Sequence, residues 1–232
     1  MTPNNETRLR MILGVGLAVL LFGLADSSAL AQSGSARWEP EIHAFEASDR
    51  TNPPPQHAIL FTGSSSIRFW KSLSQDFPGK RVINRGFGGS EIADSTAFAP
   101  RIIFPYQPRI IVLYAGDNDL AAGKTPDQVV ADYRRFVSTV HEHLPQTRIA
   151  FISIKPSPSR WRLKDSIVEA NRRIAEIKEP YLAFIDIFPQ MLGPDGNPRQ
   201  DLFKPDGLHP NAKAYRIWAK AIAPYLAGDS NR

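Results

Sequence analysis

The chain has no cysteine. That excludes disulfides, thiol nucleophiles and thiolate metal sites. It has no block of like charge. Its Lys and Arg are scattered, and a formal net charge of +5 is modest. The expected surface is mildly basic, with no nucleic-acid partner. Several catalytic signatures are missing too. No Gly-x-Ser-x-Gly elbow and no Ser-x-x-Lys occurs, which argues against the common α/β-hydrolase design and against penicillin-binding chemistry. There is no Walker A sequence. Gly86-Phe87-Gly88-Gly89-Ser90-Glu91 misses the dinucleotide fingerprint because its last position is Glu.

Long apolar runs are also scarce. The one from Met11 to Leu24 is short for a membrane span and broken by glycines. Arg8 and Arg10 precede it, and Ala29-Leu30-Ala31 follows a small-residue stretch. This is the order of a secretory signal peptide. We therefore expect residues 1–31 to be a signal peptide cleaved after Ala31, and a secreted or periplasmic product without stable membrane insertion. An uncleaved N-terminal anchor is the alternative. The leader holds Glu6, Arg8, Arg10 and Asp26, so cleavage leaves the net charge unchanged.

What is present suits one core. Of 232 residues, 42% are hydrophobic, with four Trp and thirteen Phe. Residues 32–56 read as an arm carrying a short helix, Arg37 to Asp49, closed by Pro53-Pro54-Pro55. Residues 57–232 read as the main domain. Strands are expected at 58–62, 81–84, 109–114, 148–154 and 181–187. Helices are expected from Ser90, as N-cap, to about Ile103, and after the capping box Thr125-Pro126-Asp127-Gln128. Two more are expected, at 167–177 and from Asn211 to about Ala223. His141 and His143, two apart, face different sides of their helix, against a metal pair. His43 reads as a surface or packing histidine. The βα alternation predicts an α/β fold: one open parallel sheet with helices on both faces.

In such sheets, chemistry gathers beyond the carboxyl ends of the strands. Ser64-Ser65-Ser66 follows the first strand, Gly86-Phe87-Gly88-Gly89 the second, and Gly116-Asp117-Asn118-Asp119 the third. Asp206 and His209 follow the fifth, beyond a loop. Taken singly, each block reads as a turn or a cap. Together they supply one chemistry. A serine hydroxyl needs a base, an imidazole can serve near neutral pH, and a carboxylate can orient that imidazole. The oxyanion formed on a carbonyl then needs fixed donors. Gly89 N–H, the Asn118 side chain and the N–H of the nucleophilic serine are the candidates.

These blocks resemble the SGNH hydrolases, also called GDSL-type esterases and lipases. The resemblance covers about residues 57–226. It rests on Ile59-Leu60-Phe61-Thr62-Gly63-Ser64-Ser65-Ser66-Ile67 with Trp70, on Asn84-Arg85-Gly86-Phe87-Gly88-Gly89, on Gly116-Asp117-Asn118-Asp119, and on Asp206 with His209. It implies a flavodoxin-like three-layer α/β/α sandwich around a five-stranded parallel sheet. It places the nucleophile on Ser65, with Ser64 and Ser66 as neighbours, the base on His209 and its orienting acid on Asp206. The oxyanion donors fall on Ser65, Gly89 and Asn118. The implied activity is hydrolysis of a small-molecule or polymer-borne carboxylic ester through an acyl-enzyme, requiring no metal or organic cofactor. Related readings are a carbohydrate O-deacetylase, a lysophospholipase and a thioesterase. A non-enzymatic alternative is an inactive scaffold that binds carbohydrate. One departure stands out: Ser64 occupies the position where the family usually has Asp. Trp161, in a Pro- and Ser-rich loop, is a candidate wall of the acyl or alcohol pocket, and equally a packing residue.

Overall fold

The structure is a computed structural model that describes residues 35–226. The expected signal peptide and its cleavage point lie outside the described residues. Five strands form one sheet: β1 (Ile59–Gly63), β2 (Val82–Gly86), β3 (Ile110–Tyr114), β4 (Arg148–Ile152) and β5 (Leu182–Ile185). Their order is β2-β1-β3-β4-β5, and every pairing is parallel. The order reverses between β1 and β3, so the crevice beyond their carboxyl ends is the topological switch point.

β1 and β3 are buried at every position because helices cover both faces. Strand side chains alternate between faces. Leu60, Ile83, Ile111 and Leu113 meet one helical layer. It is built from α1 (Glu39–Thr51), α4 (Ile92–Ala97), α5 (Ala99–Ile102), α7 (Pro126–His143) and α8 (Lys164–Ala175). Phe61, Val112 and Tyr114 meet the other, where Ala214, Tyr215, Trp218 and Ile222 of α9 (Ala212–Ile222) pack with Trp70 and Phe77. Trp70 lies flat on Tyr215 at 4.9 Å and edge-on to Trp218 at 6.0 Å. Emptying such a site, as in Trp218→Ala, costs about 3–5 kcal/mol. Short helices α2 (Ser65–Arg68), α3 (Leu73–Asp76) and α6 (Asp117–Ala121) complete the set. Among the described residues, no helix is long and apolar enough to cross a membrane.

Local chemistry explains the helix starts. Gln128 N–H donates to Thr125 Oγ1 at 3.3 Å, and Thr125 N–H donates to Gln128 Oε1 at 2.8 Å. Asn211 Oδ1 accepts from Lys213 N–H at 2.8 Å and Ala214 N–H at 3.3 Å, capping α9. One expectation is corrected. Ser90 caps nothing: its hydroxyl donates back to Phe87 O. The N-cap of α4 is Glu91, in a reciprocal box with Asp94. The expected single helix to Ile103 is two, divided at Phe98 ahead of Pro100, whose ring suits the start of a helix but not its interior.

Candidate active site

β1 ends at Gly63, where φ is +115° and a Cβ would fall 1.9 Å from Tyr114 O. Only glycine allows that approach to β3. The chain then turns into α2, with Ser65 as its first residue. Ser65 Oγ and His209 Nε2 are 2.9 Å apart. His209 Nδ1 lies 2.6 Å from Asp206 Oδ2. Asp206 Oδ1 accepts from Leu208 N–H at 2.8 Å and His209 N–H at 2.9 Å. The carboxylate on Nδ1 fixes the neutral tautomer with its proton there, so Nε2 accepts from the serine hydroxyl. Burial opposes the charge on Asp206, but the hydrogen bonds from the His209 imidazole and from the two N–H groups outweigh it. They hold the carboxyl down at about 2. Phe69 packs edge-on to the imidazole at 4.9 Å and limits its rotation. Neither Ser64 Oγ nor Ser66 Oγ, both buried, has a hydrogen-bond partner among the described residues.

The residues of the three expected donors follow three adjacent strands, Ser65 after β1, Gly89 after β2 and Asn118 after β3. Ser65 N–H, at the first position of α2, has no intrahelical acceptor. Gly89 is exposed in the turn after β2, at φ +74°. Phe87 N–H donates to Gly63 O, and Gly88 N–H to Glu41 Oε2. Gly89 N–H has no protein acceptor among the described residues. Gly89 was expected at a helix N-terminus, but α4 starts three residues later, so no helix dipole acts there. Asn118, near the start of α6, donates one N–H to Ser90 O at 2.9 Å. Its Oδ1 accepts from Arg160 Nη2 at 2.8 Å. The remaining amide N–H is free for a ligand.

A buried charge network lies behind Asn118. Lys155, 1% exposed, donates to Asp117 Oδ2 at 2.5 Å and to Tyr114 Oη at 2.9 Å. Arg160 Nη1 is 3.1 Å from the same Asp117 oxygen. Burial works against the Asp117 charge, but two cations outweigh it and hold the carboxyl below its ordinary range. Burial also lowers Lys155 and raises Tyr114 well above the phenol range. Ser159 N–H, beside Arg160, donates to Gly207 O at 3.1 Å. The 157–163 loop thus joins the Asn118 turn to the Asp206–His209 turn. Asp119 is fully buried and accepts from Gly116 N–H, Ile92 N–H and Lys124 Nζ. Burial dominates there and pushes its carboxyl up to about 6.

The sequence profile of the GDSL-like Lipase/Acylhydrolase family matches residues 50–217. The chain belongs to this family. No curated protein matches it. Among solved structures, it is similar to a "putative platelet activating factor" from Streptococcus pneumonia, with TM-score 0.72 and 18% identity, covering 86% of this chain and 98% of that one. A GDSL-like lipase from Bacteroides thetaiotaomicron superposes with TM-score 0.66 at 20% identity, over 83% and 96% of the two chains. A carbohydrate esterase family 3 protein from Talaromyces cellulolyticus gives 0.56 at 17%, over 72% and 95%. At these identities the likeness is one of fold.

In this GDSL-like hydrolase, the Ser64 backbone is fully engaged. Its N–H donates to Tyr114 O at 2.9 Å, and its carbonyl accepts from Ile67 and Arg68. These backbone bonds hold the turn without the Ser64 side chain, whose Oγ has no partner among the described residues. Trp161 donates to Asn197 Oδ1 at 3.2 Å and lies over Phe188, which makes it a packing tie between loops. His141 stacks on Tyr181 and His143 on Phe104, on different sides of α7, as their spacing predicts. Lys155 and Arg160 were not legible as site residues. The only signal was a Pro- and Ser-rich loop directly after β4, at the carboxyl edge of the sheet.

Proposed function

We propose that this GDSL-like hydrolase is a serine esterase that acts on carboxylic esters with Ser65 as nucleophile, His209 as base and Asp206 as orienting acid. The observation that carries the reading is the hydrogen-bonded chain Ser65 Oγ–His209 Nε2, 2.9 Å, and His209 Nδ1–Asp206 Oδ2, 2.6 Å. Ser65 Oγ attacks the acyl carbonyl carbon while its proton passes to His209 Nε2. Ser65 N–H, Gly89 N–H and the free Asn118 N–H receive the oxyanion. Collapse expels the alcohol, which leaves with the proton from His209. His209 then deprotonates a water that attacks the acyl-enzyme, releasing the acid and restoring Ser65. Asp206 stays ionised and stabilises the imidazolium throughout. Secretion belongs to the same proposal, and its support is the leader's charge and apolar pattern.

The test is labelling with a fluorophosphonate, which reacts with activated serines. Wild-type protein should label and hydrolyse p-nitrophenyl acetate, and Ser65→Ala should do neither. Unlabelled wild-type protein would favour the inactive-scaffold reading instead.

A further inference from the structure

The family profile begins at residue 50, yet α1, nearly all of which precedes it, touches the proposed oxyanion turn. Glu41 Oε2 accepts from Gly88 N–H at 3.0 Å. Its other oxygen, Oε1, pairs with Arg68 Nη2 at 2.6 Å. Gly88 immediately precedes Gly89, and Arg68 ends the helix that begins with Ser65. One carboxylate therefore bridges the segment that carries the nucleophile and the segment that carries an oxyanion donor. Asn84 ties the near end of the same turn, donating to Ile67 O at 2.8 Å. Glu41 ties the far end, next to the donor itself. Trp38 closes over the turn, and a Cβ at Gly89 would approach its ring at 3.1 Å.

A brace works only if it is itself held. Arg101 of α5 pairs with Glu39 at 2.7 Å and Glu46 at 2.6 Å. Asp49 accepts from Arg85 and from Tyr106 Oη, both at 2.5 Å. Ile42 is fully buried between these ties. Both ends of α1 are thus fixed to the domain, with Glu41 on the stretch between.

Resting on the esterase reading above, we infer that Glu41 is a positioning residue for the oxyanion turn, acting through Gly88 and Arg68 to set where Gly89 N–H meets the charge formed at Ser65. Arg68 has a second part in this. It neutralises a carboxylate that would otherwise stand close to a developing oxyanion and disfavour it. The role belongs to the transition state, so it appears in kcat more than in KM.

The experiment compares Glu41→Ala, Glu41→Gln and Arg68→Met with wild type on p-nitrophenyl acetate, beside affinity for a boronic acid that forms a tetrahedral anion on the serine. Glu41→Ala should lower kcat about tenfold or more, with KM changed less than about twofold and boronate affinity reduced in step. Glu41→Gln keeps one acceptor for Gly88 N–H and should recover most of kcat. Arg68→Met changes an exposed side chain and should lower kcat about threefold to tenfold, relieved by adding Glu41→Gln. Wild-type kcat and boronate affinity in both Glu41→Ala and Arg68→Met would overturn the inference. So would a loss confined to KM. If Glu41→Ala does not fold, the Arg68→Met and double-variant pair decides. The esterase reading fails by a different result, hydrolysis that survives in Ser65→Ala.

Discussion

Arg160 Nη2 donates to Asn118 Oδ1 at 2.8 Å, and this bond fixes which end of the Asn118 amide is oxygen and which is nitrogen. An asparagine can flip its oxygen and nitrogen at little cost unless its partners forbid it. Here a guanidinium claims the oxygen and Ser90 O claims one N–H. The second N–H has no protein acceptor among the described residues, and the cation on Oδ1 makes it a stronger donor; in the proposed mechanism it meets the developing negative charge.

Removing the donor itself should be severe. Asn118→Ala should lower kcat by about 10²–10³, the loss of one oxyanion donor, with a small change in KM. Steady-state hydrolysis of p-nitrophenyl acetate measures it. A kcat within twofold of wild type would show that Asn118 does not stabilise the transition state.

Releasing the donor should be milder. Arg160→Ala removes the tie on Asn118 Oδ1 and leaves the amide held only through Ser90 O, and kcat should fall about 10- to 100-fold. Arg160→Lys should recover only part, because a point charge cannot serve Asp117 and Asn118 together. The same assay checks both variants, and full activity in Arg160→Ala would contradict the role.

The network behind Asn118 also carries stability. Lys155→Met leaves the buried Asp117 carboxylate with one cation instead of two, and breaking a buried pair this way costs about 3–5 kcal/mol. Urea denaturation should show a lower midpoint at an unchanged slope. An unchanged midpoint would mean that the pair makes no net contribution.

Two carboxyls set opposite pH windows. Asp206 is lowered from 3.8 to about 2, so its contribution is present above 3.8 and lost as pH falls toward 2. Asp119 is raised from 3.8 to about 6, so its contribution is full below 3.8 and lost as pH rises through 6. These two groups alone place greatest stability near pH 4. Asp119→Asn should flatten the decline between pH 4 and 6 in denaturant titrations. A wild-type stability that rises over that interval, with no change in Asp119→Asn, would contradict the shift.

Much of this arrangement was legible from the chain. Alternating apolar runs and helical stripes placed all five strands, because a doubly covered parallel sheet needs continuous apolar strands. Ser65, His209 and Asp206 lie where their blocks fall, at the carboxyl ends of strands, and they meet in one hydrogen-bonded chain. The start of α4 was not legible. Ser90 and Glu91 are both acceptable caps, and Asp94, three residues after Glu91, decides between them through a reciprocal bond. Arg160, Lys155 and Glu41 were not legible either. Each acts across a gap of dozens of residues, and nothing local separates a buried ion-paired lysine from a solvated one.

The most direct measurement is to locate the covalent adduct. Wild-type protein treated with a fluorophosphonate and digested should carry the added mass on Ser65, and Ser64→Ala and Ser66→Ala should remain labelled. An adduct on Ser64 or Ser66, or undiminished labelling of Ser65→Ala, would contradict the account.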